Sequence, residues 1–418
     1  MINIENKKDC CGCGACQQVC PKKCIQMVED KEGIPYPVID KLECIDCGLC
    51  ERVCPILNVN QSSIPDSVLT YAASNKNDEQ RLSSSSGGMF QLLAEYIIKN
   101  EGVVFGAKFN DKWEVVHDKA TSLDEIEALK RSKYVQSDIR DSYIEAKRYL
   151  NKGYLVLFCG TPCQIAGLRS FLRKEYVNLY CVDFICHGIP SRGIWRKYLQ
   201  EIQSRSTRSV VDGKNTVLSS LKSVPVITGI NFREKRKPEY RWQKYGFVVR
   251  GFSPSKGEKN SVLWSYYAFD DVYMRSFLHD YILRPSCYAC RFRNGGGNSD
   301  ITLADFWGIE KVCNDPDFIS DKGTSWVIIH NEKGKDLFRL LDVKKQVFNL
   351  SDGRWANAAL LYDWPRPWSR FIYMLLWRYI SISTTLFISE FFNTICKHIY
   401  SLLSYIKHHI KITALWQK

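Results

Sequence analysis

The sequence of 418 residues lacks several features that would place it in common classes of protein. No uncharged stretch reaches the ~18 residues that a membrane span requires. No signal peptide is recognisable, so we expect a protein of a reducing, cytoplasmic compartment. No nucleic-acid recognition motif accompanies the formal net charge of +13. We therefore expect no nucleic-acid partner, and the charge favours a phosphorylated cofactor, an acidic protein or a membrane surface.

Cysteine, in contrast, is abundant: ten of the 18 cysteines lie between Asp9 and Pro55. Eight of these ten follow the spacing C-x2-C-x2-C-x3-C-P, which occurs twice. The motif cysteines are Cys10, Cys13, Cys16 and Cys20 in the first copy, and Cys44, Cys47, Cys50 and Cys54 in the second. Cys11 and Cys24 fall outside the pattern.

The stretch from residue 1 to about residue 58 resembles the bacterial two-cluster ferredoxin. In such a ferredoxin three closely spaced thiolates bind one [4Fe–4S] cluster, and the fourth thiolate binds the other cluster. The resemblance predicts ligands Cys10, Cys13, Cys16 and Cys54 for one cluster, and Cys20, Cys44, Cys47 and Cys50 for the other. Disulfides suit secreted chains and structural zinc takes two separated cysteine pairs, so both alternatives are weaker. A β-hairpin is expected between the motifs, over Ile25 to Ile39.

The middle of the chain alternates strands and helices. Apolar runs predict strands at 103–109, 154–158 and 177–185, with helices at 89–99, 124–130, 164–173 and 190–203. This order predicts a mixed, mainly parallel α/β core with ligands at the strand ends, between a small ferredoxin-like domain and a helical tail. We divide the chain into a ferredoxin-type domain at 1–58, core parts at 69–205 and 206–350, and a tail at 367–418.

A stretch rich in serine and glycine, Ser83 to Gly88, precedes the helix Met89 to Lys99. Serine is expected to cap this helix, and the glycines leave room for a ligand phosphate at the helix N-terminus. A plain helix cap is the alternative interpretation of the same residues.

Two further segments carry basic residues. Ile230 to Gly251 is predicted to form a hairpin, which either is solvated or grips an anionic substrate tail; its basic residues are Arg233, Lys235, Arg236, Lys237, Arg241 and Lys244. Phe371 to Ile412 predicts an amphipathic pair of helices. This tail packs on the body or on a partner, or it lies on a membrane surface.

Short motifs between Ser84 and about Trp326 resemble the beta subunit of coenzyme F-420 hydrogenases and dehydrogenases. The matching segments are Ser86-Gly87-Gly88, Ser132-Lys133-Tyr134, Pro162-Cys163-Gln164, the turn at Cys186, Cys287-x2-Cys290, Asp300 to Gly308, and Gly323 to Trp326. The resemblance implies an iron–sulfur flavoprotein in which electrons pass between FAD, iron–sulfur clusters and a deazaflavin or another two-electron substrate.

The resemblance also assigns site residues. The FAD-binding residues would be Ser86, Gly87, Gly88, Lys133 and Tyr134. Short family members without a ferredoxin module still carry a cluster, which implies a third [4Fe–4S] site with the ligands Cys163, Cys186, Cys287 and Cys290. Buried or zinc-bound cysteines are the alternative. No role is assigned to Cys159, Cys181, Cys313 and Cys396.

The sequence therefore predicts an oxidoreductase that moves electrons in series, with His187 either a proton donor near the flavin or a structural residue. The fused ferredoxin module, the turn at Cys186 to Gly188 and the basic tail depart from the deazaflavin enzymes and leave the substrate open. Expected partners are a redox carrier or a partner oxidoreductase subunit. A non-catalytic electron-transfer subunit, or a scaffold on a membrane surface, are the alternatives.

Overall fold

The computed structural model describes residues 2–58, 63–206, 226–236, 239–253 and 258–416. The strands are β1 Ile25–Glu29, β2 Pro35–Ile39, β3 Leu69–Asn75, β4 Val103–Phe109, β5 Val115–Ala120, β6 Val156–Cys159, β7 Leu179–Phe184, β8 Ile227–Glu234, β9 Gly246–Ser253, β10 Glu258–Tyr267, β11 Ile301–Asp305, β12 Ser325–Ile329 and β13 Val343–Phe348. The helices are α1 Ala15–Val19, α2 Leu49–Arg52, α3 Asp78–Ser83, α4 Met89–Lys99, α5 Leu123–Leu129, α6 Ser142–Asn151, α7 Pro162–Leu172, α8 Arg192–Ser206, α9 Val272–Leu278, α10 Glu332–Arg339, α11 Leu350–Arg354, α12 Arg370–Leu376 and α13 Ile382–Trp416.

The central element is an eight-stranded sheet with the order β13-β3-β12-β11-β7-β6-β4-β5. The four strands β11, β7, β6 and β4 are parallel, as the alternation of strands and helices predicted. The outer pairings are antiparallel, so the sheet is mixed, and its parallel part is confined to the centre. Two of these antiparallel pairings, β4 with β5 and β11 with β12, join strands that follow each other along the chain without a crossover helix, which the sequence pattern did not reveal.

Helices cover both faces of the sheet. Helices α4, α5 and α10 pack on one face through residues such as Leu93, Ile126 and Leu337. Helices α6 and α7 pack on the other face, and the cysteine-rich N-terminal segment continues the same apolar core. The ferredoxin-type segment thus lies on the same side of the sheet as α6 and α7 and shares their apolar core.

The N-terminal segment contains the expected hairpin, in which β1 and β2 pair antiparallel from Ile25 with Ile39 to Glu29 with Pro35. The basic hairpin predicted at 230–251 is part of a three-stranded antiparallel sheet, β10-β9-β8. The boundary predicted between 205 and 206 adjoins residues 207–225, which lie outside the described residues.

The tail forms the two predicted helices, α12 and α13. Its first part packs on the body: Tyr373, Ile382 and Leu386 are buried, and Glu390 accepts hydrogen bonds from Arg275 at 2.7 and 2.8 Å. Within the described part of the chain, none of the helices combines the length and the apolarity that a membrane crossing requires.

Candidate functional site

Three cysteines of the first motif lie together with the last cysteine of the second motif. Cys10, Cys13, Cys16 and Cys54 are all buried. Burial raises the pKa of the Cys16 thiol to about 12, and the negative charges of Cys10 and Cys54 add to the effect. Gly14 precedes α1 with φ +75°, a left-handed conformation that suits glycine and closes the loop tightly between Cys13 and Cys16.

The other four motif cysteines line a cavity in the N-terminal segment. Its wall includes Cys20, Cys44, Cys47 and Cys50. Cys24, which falls outside the motif, lines the same cavity, with its Sγ 3.4 Å from the Sγ of Cys20. Gly48 repeats the left-handed turn in the second motif, with φ +69°. The fourth cysteine of each motif thus lies with the first three cysteines of the other motif.

A third set of cysteines comes from three separate segments. Cys163 is the second residue of α7, Cys186 follows the end of β7, and Cys287 and Cys290 lie in the loop after α9. All four line one cavity, and the N–H of Ile189 donates to Cys287 Sγ at 3.3 Å. Burial raises the pKa of the Cys287 thiol to about 12, and the charge of Cys290 adds to this. The structure therefore brings the four predicted residues together.

Helix α7 connects the first set of cysteines to this third set. Gly167 lies four residues after Cys163, hence on the same face of the helix. A Cβ atom at Gly167 would lie 2.8 Å from Cys13 Cβ and 3.0 Å from Cys13 Sγ. The hydroxyl of Tyr143 lies 2.9 Å from the carbonyl oxygen of Cys13 and 2.8 Å from that of Gln164. The absence of a side chain at Gly167 therefore permits the close approach of the first motif.

Arg284 makes a second connection between the two sets. It is fully buried, and its Nε donates to Cys10 O at 2.6 Å, its Nη2 to Cys10 Sγ at 3.2 Å, and its Nη1 to Pro35 O at 2.8 Å. Its guanidinium lies 4.3 Å from the ring centre of Tyr36. Burial would lower the pKa of Arg284, but the charges of Cys10, Tyr36 and Cys287 raise it above its ordinary value.

The residues predicted to bind FAD lie in two neighbouring loops. The Oγ of Ser85 accepts a hydrogen bond from the N–H of Ser132 at 2.8 Å, and Arg131 Nε donates to Ser83 O at 2.9 Å. These bonds hold the loop that contains Ser86, Gly87 and Gly88 against the loop that contains Lys133 and Tyr134.

The prediction that serine caps α4 is wrong. Gly88, which has no side chain, occupies the N-cap position with φ +90°. The hydroxyl of Ser84 donates to Gln80 O at 2.8 Å, and the hydroxyl of Ser86 donates to Thr324 O at 3.0 Å. The serines are therefore engaged by carbonyl groups of other segments, and the start of α4 lacks a side-chain cap.

A buried lysine, Lys235, and a half-buried lysine, Lys133, border these loops. Lys235 Nζ donates to the carbonyl oxygens of Ser86 at 3.0 Å and Arg81 at 3.1 Å, and Lys133 Nζ donates to Lys130 O at 2.6 Å. Burial, reinforced by a neighbouring arginine in each case, lowers the pKa of Lys133 and of Lys235 to about 7. The surroundings of the two side chains thus disfavour the positive charge of each ammonium group, and an anion beside them would stabilise the charged forms.

Tyr134 and His187 lie on two sides of one phenylalanine. The ring centre of Phe277 is 5.0 Å from that of Tyr134 and 4.8 Å from that of His187. His187 also lines the cavity of the third cysteine set, and its Nε2 is 2.9 Å from Asp280 Oδ1. The ring of Trp364, 4.6 Å away, completes an aromatic slot around the imidazole.

The basic hairpin is only partly exposed. Arg233 is buried in an ion pair with Asp305, whose Oδ1 also accepts a hydrogen bond from Trp242 Nε1 at 2.6 Å. Arg241 is exposed, and Lys237 lies outside the described residues. The prediction of a solvated hairpin is therefore wrong for Arg233 and Lys235, which are buried.

Sequence reasoning missed Arg284, because a lone arginine before Pro285 carries no motif signal. It also gave no role to Cys11, whose buried thiol interacts with both Cys13 and Cys163. Among the residues that the structure describes, no three His, Cys, Asp or Glu side chains are arranged to hold a single metal ion.

Comparisons with known proteins identify two regions of the chain. Residues 9–57 match the family model described as a 4Fe-4S dicluster domain. Residues 154–352 match the model described as the C terminus of the coenzyme F420 hydrogenase/dehydrogenase beta subunit. No curated protein matches the sequence significantly.

A structure titled as a xenon derivatisation of the F420-reducing [NiFe] hydrogenase complex from Methanosarcina barkeri contains a similar chain. That chain is 14% identical, with a TM-score of 0.41, and the likeness covers 72% of this chain and 88% of that chain.

The dicluster match places the N-terminal segment among iron–sulfur domains, which confirms the resemblance drawn from its cysteine spacing. One chain thus joins a segment that matches the dicluster model to a segment that matches the model of the C terminus of the coenzyme F420 hydrogenase/dehydrogenase beta subunit.

Proposed function

We propose that this protein is an iron–sulfur flavoprotein oxidoreductase. It moves single electrons through three [4Fe–4S] sites and exchanges two electrons with a small-molecule substrate such as a deazaflavin coenzyme. The observation that carries the proposal is the packing of the first cysteine set against α7, whose N-terminal turn supplies Cys163 to the third set.

The donor sets fit iron–sulfur clusters. Each of the three sets contains four cysteines, and all 18 cysteines of the chain have free thiols. Buried thiols with raised pKa values, such as those of Cys16 and Cys287, resist ionisation without a cation nearby. Iron supplies that positive charge, and cluster-binding cysteines bind as thiolates. In the first set Arg284 donates to the sulfur of Cys10, a contact of the kind that tunes a cluster's potential.

The FAD assignment is supported by charge and by the start of α4. The residues that would hold FAD are Ser86, Gly87, Gly88, Lys133 and Tyr134, with Lys235 beside them. A helix start without a side-chain cap, next to the buried Lys235 and the half-buried Lys133 with their lowered pKa values, suits the pyrophosphate of the cofactor. When bound, a flavin exchanges electrons singly or in pairs.

The residues between the two sites have distinct roles in this proposal. Tyr134 and Phe277 exclude water from the region between the FAD loops and the third cysteine set. If His187 donates its Nε2–H to the carboxylate of Asp280, its Nδ1 is left to accept a proton. His187 would then hold or return a proton beside the third set while two-electron chemistry takes place.

Metal and flavin analysis of anaerobically prepared protein tests the proposal. Three filled sites give about twelve irons per chain, together with one FAD. Replacing Cys287 and Cys290 with serine should reduce the count to about eight, whereas Cys181→Ser, in a buried cysteine outside the three sets, should leave it unchanged. Protein that contains zinc, or no iron and no flavin, would contradict it.

A second function is favoured by the surface of the tail. Trp368, Phe371, Leu375 and Tyr379 are all more than half exposed around α12. Contiguous exposed apolar residues mark interaction sites. The chain would then be an electron-transfer subunit that connects a partner enzyme to a ferredoxin pool. This second function predicts bound clusters but no turnover of any substrate by the isolated chain. The proposed oxidoreductase, in contrast, would turn over its substrate without a partner.

A further inference from the structure

A buried carboxyl group lies in the cavity of the third cysteine set. Asp183, the fifth residue of β7, is 2% exposed and lines this cavity. Among the described residues, Arg293, which lines the same cavity, pairs with Asp363 at 2.9 Å rather than with Asp183. A buried carboxyl group beside a redox site is a group that can bind a proton when the local charge changes.

Asp183 is hydrogen-bonded to a chain of two further polar side chains. Thr302 lies directly opposite Asp183 in the parallel pairing of β7 with β11, and its Oγ1 bonds to Asp183 Oδ1. The same Oγ1 lies 2.7 Å from Nε2 of His330, the half-buried residue that follows β12. A continuous hydrogen-bonded line thus leads from the cavity across two neighbouring strands to a partly exposed imidazole.

The electrostatic surroundings keep this line titratable. Burial raises the pKa of Asp183 to about 7, the hydroxyls of Thr302 and Ser299 oppose that rise, and the charge of Asp300 adds to it. Burial lowers the pKa of His330 to about 4, so its imidazole is neutral near pH 7. Across the cavity Asp183 faces His187, Arg293 and the four cysteines of the third set, and on its other side the Cys159 thiol. The neighbouring Asp300 is itself paired with Arg169 at 3.3 Å and Lys333 at 3.2 Å.

We propose that Asp183 takes up a proton when the third cysteine set's cluster gains an electron, and that Thr302 and His330 deliver this proton. The inference rests on the proposed function, because it requires a cluster at Cys163, Cys186, Cys287 and Cys290. The electron comes from a one-electron reductant of the ferredoxin class. One electron and one proton enter together, so the net charge of the cavity does not change.

The atoms of the line can pass a proton without a charged intermediate persisting. A proton from solvent binds Nδ1 of His330, and the Nε2–H bond breaks as its proton moves to Thr302 Oγ1. The hydroxyl proton of Thr302 moves at the same time to Asp183 Oδ1. The imidazole ends as the neutral Nδ1–H tautomer, and the carboxylate ends as a carboxylic acid.

Redox titration of the third-set cluster, followed by electron paramagnetic resonance between about pH 6 and about pH 9, tests this coupling. Above pH about 7 the oxidised state has lost the Asp183 proton and the reduced state has kept it. The midpoint potential should then fall by up to about 59 mV per pH unit, the tenfold change in proton concentration for one electron. Asp183→Asn should remove the slope, and Asp336→Asn, an exposed carboxyl on α10, should retain it.

Two substitutions of Thr302 distinguish a structural role of this residue from a role in proton uptake. Thr302→Val should shift the sloping range to higher pH, because the carboxylate loses a hydrogen-bond donor, and should slow proton uptake in rapid mixing with a pH indicator. Thr302→Ser should restore both. A third-set signal whose potential does not depend on pH in the wild type would overturn the inference alone. No third-set signal at any pH, with about eight irons, would overturn the proposed function instead.

Discussion

The two motif cysteine sets and the third cysteine set differ in how the chain builds them. The motif sets come from 46 contiguous residues, Cys10 to Pro55, in which Gly14 and Gly48 make the same left-handed turn. The third set needs the start of α7, the end of β7 and the loop after α9 to be placed together. Local spacing therefore suffices for the first kind of site, whereas correct packing of the whole core is required for the second.

The largest expected effect comes from removing the residue that touches both kinds of site. Arg284→Met leaves the carbonyl oxygens of Cys10 and Pro35 without their buried donor. We expect a loss of about 3 kcal/mol or more in the free energy of unfolding. Arg284→Lys should recover only part of this, because an ammonium cannot reproduce the three-way contact. Anaerobic urea unfolding measures both, and a Met variant as stable as the wild type would contradict the connection.

A large effect on cofactor binding is expected from Lys235→Met. Losing a charged donor at the FAD loops should weaken FAD binding by about 1.5–3 kcal/mol, roughly tenfold to a hundredfold. In the free wild-type protein the lowered pKa of Lys235 means that affinity should also fall as the pH rises above about 7, because the ammonium loses its proton. Lys244→Met, at an exposed position of the same hairpin, is the control. Titration of the apoprotein with FAD at two pH values measures both the loss of affinity and its dependence on pH.

A moderate effect is expected where the ferredoxin-type domain meets α7. Gly167→Ala would normally favour a helix, but its new methyl group would press on Cys13 and on the hydroxyl of Tyr143. We expect a net loss of about 1–3 kcal/mol in the free energy of unfolding, measured by anaerobic unfolding. Gly229→Ala adds a methyl group with an ordinary contact, 3.8 Å from Arg250 Cβ, and should change little. Equal effects of the two substitutions would show that the close approach does not matter.

The smallest effect is expected within a motif set. A Cβ atom at Gly48 has no heavy atom of the protein within 4 Å, so with respect to the rest of the chain Gly48→Ala costs the strain of its left-handed conformation, about 1 kcal/mol. Iron content should remain at the wild-type value, because the turn survives. Loss of iron would mean that the turn depends on more than local geometry.

Much of this architecture could be predicted from the sequence. The doubled cysteine spacing, the hairpin between Ile25 and Ile39, the strands β4, β6 and β7, and both tail helices follow from local patterns and are present. The serine cap of α4 was wrong, because the hydroxyl of Ser84 bonds to the carbonyl of Gln80 in the preceding helix and that of Ser86 to the distant carbonyl of Thr324. The buried state of Arg233 could not be foreseen either, since its partner Asp305 lies in another sheet.

The sequence by itself indicated the motif sets, because three of the four cysteines of each set, and the glycine of its turn, are close neighbours along the chain. The tertiary structure brings into one cavity Cys163, Cys186, Cys287 and Cys290, which the family resemblance implied as one site. Only the tertiary structure decided that Arg284 reaches Cys10 and that Asp183 is hydrogen-bonded through Thr302 to His330. The physical reason is that these contacts join residues far apart in the chain. Their geometry is set by the pairing of strands and the packing of helices rather than by spacing.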